Sequence, residues 1–141
     1  MKKLTILLVE DNIQDAFLIK EALEERDFLK KIYHVENGAK ALDFLKNEHP
    51  YKEVEAPNLI LMDINMPVMD GLEALKRIKS DPDCKHIPVL ILTTSSRKED
   101  ILNAYKEHSN SYLVKPDDIF ELDKLTESIK NYWMNVARLP D

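Results

Sequence analysis

The stretch Asn58-Leu59-Ile60-Leu61-Met62-Asp63-Ile64-Asn65-Met66-Pro67 decides how the chain is read. An apolar run stops abruptly at a carboxylate. Asn65 and Pro67 follow, and then Asp70-Gly71. A short apolar run bounded by turn residues predicts a buried strand over Asn58–Asp63. Asp63 then stands at the strand's carboxyl end, where open α/β sheets hold their ligands. A buried carboxylate without a partner is costly. Asp63 is therefore the expected centre of the chemistry, with other residues serving it.

Working outward, the same pattern repeats. Leu4–Val9 is a continuous apolar run, expected as a first, central strand, and Glu10-Asp11-Asn12 stands at its end. Apolar residues then recur at Ile13, Ala16, Phe17, Ile19, Ala22 and Leu23 with helical spacing, and Asn12 can cap that helix. A second strand is expected over Lys31–Glu36 and a second helix over Ala39–Lys46. The polar segment Asn47–Pro57, with two prolines, reads as a surface loop. A third helix follows over Gly71–Ser80. A fourth buried strand spans Ile87–Leu92, with Thr93 at its end. Ser96 is the expected cap of a helix over Arg97–His108, with Glu99 at the third position. Ser111–Val114 predicts a fifth strand, ended by Lys115-Pro116. A last helix spans Asp117–Ala137, capped near Asp117 or Asp118. Five strand-then-helix units imply an α/β fold. It is a doubly wound, five-stranded parallel sheet of order 2-1-3-4-5.

Composition narrows the function. A chain of 141 residues suits one domain, residues 1–141. Two glycines leave no room for a Gly-rich nucleotide loop. The single Cys84 excludes a disulfide framework and a Cys-rich zinc site. A net charge of -6 argues against a general nucleic-acid binder. The longest apolar runs are too short to span a bilayer, and the amino terminus lacks a signal-peptide core. A cytoplasmic location is the expectation.

In the expected topology strands one, three, four and five lie side by side. Glu10, Asp11, Asp63, Thr93 and Lys115 would then converge in one cleft. Three close carboxylates repel unless a cation enters. Mg²⁺ prefers such oxygen ligands and keeps several waters. A carboxylate nucleophile beside Mg²⁺, with Lys115 and Thr93 near its oxygens, describes a phosphoryl acceptor.

The quoted pieces together make the reading specific. Leu8-Val9-Glu10-Asp11-Asn12, Leu61-Met62-Asp63-Ile64-Asn65-Met66-Pro67-Val68-Met69-Asp70-Gly71, Leu92-Thr93-Thr94-Ser95 and Tyr112-Leu113-Val114-Lys115-Pro116 resemble the receiver domain of two-component response regulators, which has a flavodoxin-like fold. The resemblance implies that Asp63 accepts a phosphoryl group from a sensor histidine kinase. It implies Mg²⁺ on Asp11, Asp63 and the backbone carbonyl of Asn65, with Glu10 acting directly or through water. Lys115 would contact a phosphoryl oxygen. Thr93 and Tyr112 would be the switch, read on the face of helix four, strand five and helix five. Asn65 and Ser95 resemble positions that tune phosphoaspartate hydrolysis. The Lys115-Pro116 peptide would be cis.

The extended end, about residues 130–141 with Trp133 and Met134, is similar to that of stand-alone regulators partnered with phytochrome-like kinases. Two fates are open for it: a homodimer contact, or packing on its own domain. No room is left for a DNA-binding or enzymatic output domain, so the chain is expected to signal by protein contact or phosphate relay, and not as a separate enzyme. A phosphatase of the haloacid-dehalogenase type would need a general acid where Asn65 stands. A flavin binder would need a phosphate loop where Glu10-Asp11 stands.

Overall fold

The computed structural model describes residues 3–140. The ends of the expected 1–141 domain, Met1, Lys2 and Asp141, lie outside the described residues. Strands and helices alternate: β1 Leu4–Val9, α1 Ile13–Glu24, β2 Leu29–Val35, α2 Gly38–Leu45, β3 Leu59–Met62, α3 Gly71–Ser80, β4 Val89–Thr93, α4 Lys98–Lys106, β5 Ser111–Val114 and α5 Ile119–Lys130. A wide π-helical turn, Asn131–Val136, ends the last helix. The strands form one parallel sheet in the order β2-β1-β3-β4-β5, as expected.

The apolar runs of β1, β3 and β4 are continuous because both faces of the sheet are covered. Side chains alternate across the sheet. Leu7, Val9, Ile60, Met62, Val89 and Ile91 face a core shared with Phe44 of α2, Leu75 of α3 and Ala104 of α4. Ile6, Leu8, Leu59, Leu61, Leu90 and Leu92 face the other core, closed by Ile19 and Leu23 of α1 and Leu122 and Ile129 of α5. Burial of these side chains, each worth roughly 1.5–3 kcal/mol, fixes the sheet. The functional residues sit just beyond its carboxyl edge.

Helix starts follow short polar caps. Asn12, Asn37, Asp70 and Asp118 each accept a hydrogen bond from the third backbone amide of the helix they open. The fourth helix departs from expectation. It begins at Lys98, its cap is Arg97, and no side chain closes it. Ser95, not Ser96, supplies the local hydroxyl, accepting from the Arg97 amide at 3.3 Å and donating to Asp100 at 2.6 Å. The last helix is shorter than the expected Asp117–Ala137, because the Asp118 cap starts it late and the π turn interrupts it. The cis peptide among the described residues is His49-Pro50, so the cis bond expected at Lys115-Pro116 is a correction. Past α5, Trp133, Met134 and Leu139 pack against the α1/α5 core, while Tyr132 and Val136 stay exposed. Among the described residues no helix is long and apolar enough to cross a membrane.

Candidate functional site

Backbone pairing sets the height of each site residue. Val9 of β1 is in register with Met62 of β3. The next residue on each strand, Glu10 or Asp63, therefore emerges at the same level. The Asp63 amide donates to the Val9 carbonyl at 3.0 Å, which fixes that step. Thr93 of β4 is in register with Val114 of β5. The Lys115 amide donates to the Thr93 carbonyl at 2.7 Å, so Lys115 leaves the sheet beside Thr93.

One carboxylate oxygen from each of Glu10, Asp11 and Asp63 lies within 4.8 Å of the others. Asp11 is exposed, whereas Glu10 and Asp63 are buried. The Asn12 amide donates to Glu10 Oε2 at 3.1 Å, and the Ile64 amide to Asp63 Oδ1 at 2.7 Å. The Lys115 ammonium, itself buried, contacts Glu10 Oε1 at 2.5 Å, Asp15 Oδ2 at 3.0 Å and Asp63 Oδ2 at 3.1 Å. The contacts to Asp15 and Asp63 are hydrogen bonds, and the contact to Glu10 is an ion pair.

The charge balance is negative. Burial, with the Asp63 charge adding to it, pushes the Glu10 carboxyl up to about 7 against the pull of Lys115 and the Asn12 amide. Burial alone would lower the Lys115 ammonium, but hydrogen bonds to Glu10 and Asp15 outweigh it and raise the pKa above its ordinary value. Lys115 stays charged, and Glu10 is the group in excess. A hard divalent cation with an exposed edge at Asp11 relieves this excess, so the donor set fits such an ion.

Thr93 is wholly buried, and its hydroxyl accepts from the Ser95 amide at 3.4 Å. The half-buried Tyr112 donates through its phenol to the Ser95 carbonyl at 2.9 Å. Asn65 is exposed on the loop after Asp63. Glu10, Asp11, Asp63 and Lys115 thus form one cluster, and Thr93, Ser95 and Tyr112 form an adjoining chain.

Two contacts were not foreseen. Asp15 reads in the sequence as an ordinary acid in a helix's first turn, yet it touches Lys115. Its place in the first turn of α1, directly after the β1 end that carries Glu10 and Asp11, was the available signal. His34 of β2 pairs its Nε2 with the Glu10 carbonyl at 2.8 Å. Nothing in its local pattern marks that contact.

Residues 6–130 match the response regulator receiver domain family. The chain belongs to that family. It is 38% identical over 135 residues to response regulator Rcp1 of Synechocystis sp., covering 96% of this chain and 92% of that protein. It is 41% identical over 135 residues to the probable methanogenesis regulatory protein FilR2 of Methanothrix harundinacea, covering 96% of this chain and 86% of that one. The phosphorylated cyanobacterial phytochrome response regulator RcpA superposes with a TM-score of 0.93 at 39% identity, with 99% of each chain covered. The Mn²⁺-bound form of Rcp1 superposes with a TM-score of 0.90 at 38% identity, covering 98% of this chain and 99% of that one. The chain is thus a receiver-domain response regulator, and stand-alone, phytochrome-partnered regulators are among those it is similar to. Phosphorylation and divalent metal binding are the general work of such a domain, and a sensor histidine kinase is its partner.

Proposed function

We propose that Asp63 is the phosphoacceptor and that the metal is Mg²⁺, held by Asp11, Asp63 and the Asn65 carbonyl, with Glu10 bound directly or through water. The observation that carries this reading is the convergence of Glu10, Asp63 and Lys115 within hydrogen-bond reach at the sheet's carboxyl edge. An Asp63 carboxylate oxygen attacks the phosphorus of a phosphohistidine. The P–N bond breaks, its electron pair leaves with the imidazole, and an acyl phosphate remains on Asp63. Mg²⁺, when bound, neutralises charge on the transferring group. Lys115 turns one N–H to a phosphoryl oxygen. Thr93 moves to hydrogen-bond another, and Tyr112 follows inward.

The phosphoryl group brings negative charge and strong acceptors. Thr93 and Lys115 carry its effect to the α4/β5/α5 face, where it biases two arrangements that already exist. Exposed Leu102, Tyr105 and Val114 give that face apolar contact area. We read residues 1–141 as one receiver domain that acts in the cytoplasm by protein contact or phosphate relay. It catalyses only its own phosphorylation and dephosphorylation. The likeness to RcpA and Rcp1 supports a phytochrome-like kinase as its partner. Exposed Tyr132 and Val136 support a second copy as a partner at the tail.

Incubation with acetyl phosphate and Mg²⁺, read by intact mass, tests the acceptor. The wild type gains one phosphoryl group and Asp63→Asn gains none. An unchanged wild-type mass overturns the assignment. Sedimentation at micromolar concentration, with and without a phosphoryl mimic, tests the dimer. A monomer under both conditions removes it.

A further inference from the structure

Lys115 is held by more than the site requires. Its ammonium hydrogen-bonds Asp15 and Asp63 and forms an ion pair with Glu10. Two of these carboxylates belong to the acid group that can hold a metal, and Asp15 does not. The three acceptors therefore meet different fates when the site is loaded. With a cation bound, the Glu10 carboxylate would serve it, directly or through water. The Asp63 carboxylate becomes an acyl phosphate and yields its place to a phosphoryl oxygen. Asp15 sits on α1, outside both events, with its own amide tied to the Asn12 cap at 3.0 Å.

We propose that Asp15 is a positioning residue for phosphoryl transfer, the acceptor that keeps the Lys115 ammonium aimed at Asp63 while Glu10 and Asp63 release it. The inference rests on Asp63 and Lys115 acting as described above. A flexible lysine has four rotatable bonds, and an ammonium is a point charge without a fixed fork. With one acceptor unchanged throughout, the remaining donors need only swing about it. Asp15 also carries a negative charge that an incoming phosphoryl donor meets, and the two effects oppose each other. The Asp15 side chain is 37% exposed while Lys115 is 8% exposed, so solvent screens the repulsion better than it replaces the anchor.

Asp15→Asn keeps the size and the cap amide but weakens a charge-assisted bond. Saturating phosphorylation by acetyl phosphate should fall about tenfold, the worth of one such bond at a partly exposed site. The half-saturating acetyl phosphate and the Mg²⁺ affinity by calorimetry should stay unchanged. Asp15→Glu should recover most of the rate. In the metal-free protein, ¹H–¹⁵N spectra should show a slowly exchanging Lys115 ammonium signal that Asp15→Asn loses. Equal or faster phosphorylation in Asp15→Asn overturns the proposal. So does a retained ammonium signal, or a Mg²⁺ affinity that falls in step with the rate. A wild type that takes no phosphoryl group removes the acceptor assignment itself, a result separate from a phosphorylated wild type with an unaffected variant.

Discussion

A Cβ placed on Gly71 would stand 2.0 Å from the carbonyl oxygen of Asp63. The Gly71 amide donates to the next carbonyl, that of Ile64, at 2.7 Å. The first turn of α3 is thus pressed against the backbone that carries Asp63, the proposed phosphoacceptor. The demand is for space, because the glycine backbone is not left-handed. Gly71→Ala must push α3 and the Asp63 loop apart. The expected cost is about 1–3 kcal/mol of stability, with phosphorylation lowered because Asp63 moves relative to Lys115. Denaturant midpoints and acetyl phosphate kinetics measure both, and a variant matching the wild type in each contradicts the packing argument.

Val68 stands at φ 68°, a conformation that β-branched residues rarely adopt, and it is 86% exposed. Little burial would be lost on replacement, while asparagine tolerates the left-handed region. Val68→Asn should raise stability by about 1 kcal/mol. Urea denaturation is the check, and an unchanged or lower midpoint shows that the valine is held there by contacts.

Glu10 links stability to pH. Its carboxyl is pushed up from 4.5 to about 7, so the folded chain prefers it protonated. That contribution is fully present below about 4.5 and is lost as pH rises through 7. In chelator, stability should therefore decline across this window relative to Glu10→Gln, which lacks the titration. A cation needs the carboxylate form, so Mg²⁺ affinity should rise over the same window, with proton release on binding. Denaturation and calorimetry at pH 5 to 8 test this, and parallel pH profiles for the two proteins would exclude Glu10 as the source.

Removing Lys115 leaves buried charges facing each other. Lys115→Ala should destabilise the metal-free protein by about 3 kcal/mol. Adding Asp63→Asn should recover part of that loss, since one of the repelling carboxylates is then neutral. Chemical denaturation of the single and double variants in chelator reads the coupling. Additive losses would mean that Lys115 and Asp63 do not interact energetically.

The fold was legible because each central strand is an apolar run followed by a turn, and because helices alternate with strands. Asp63, Thr93 and Lys115 were legible for the same reason, each lying at or just beyond a strand end on one edge. Helix ends were less so. Ser96 and Ser95 are equivalent in local pattern, and only the position of Asp100 selects Ser95. The end of α5 was misjudged because a π turn keeps a helical spacing of apolar residues. Asp15 and His34 escaped because their roles depend on what lies across the cleft, which periodicity does not encode. Thr93, expected beyond the fourth strand, is instead its last residue, since it still pairs with Val114.

Ser95 joins three things with few atoms. Its amide meets the Thr93 hydroxyl, its carbonyl takes the Tyr112 phenol, and its own hydroxyl binds Asp100 on α4. The chemistry lies on one side of this residue and the exposed side chains of Leu102 and Tyr105 lie beyond it. Among the described residues no hydrogen bond or ion pair joins those two side chains to the acid cluster. The address a regulator carries can therefore drift under selection while the message stays fixed.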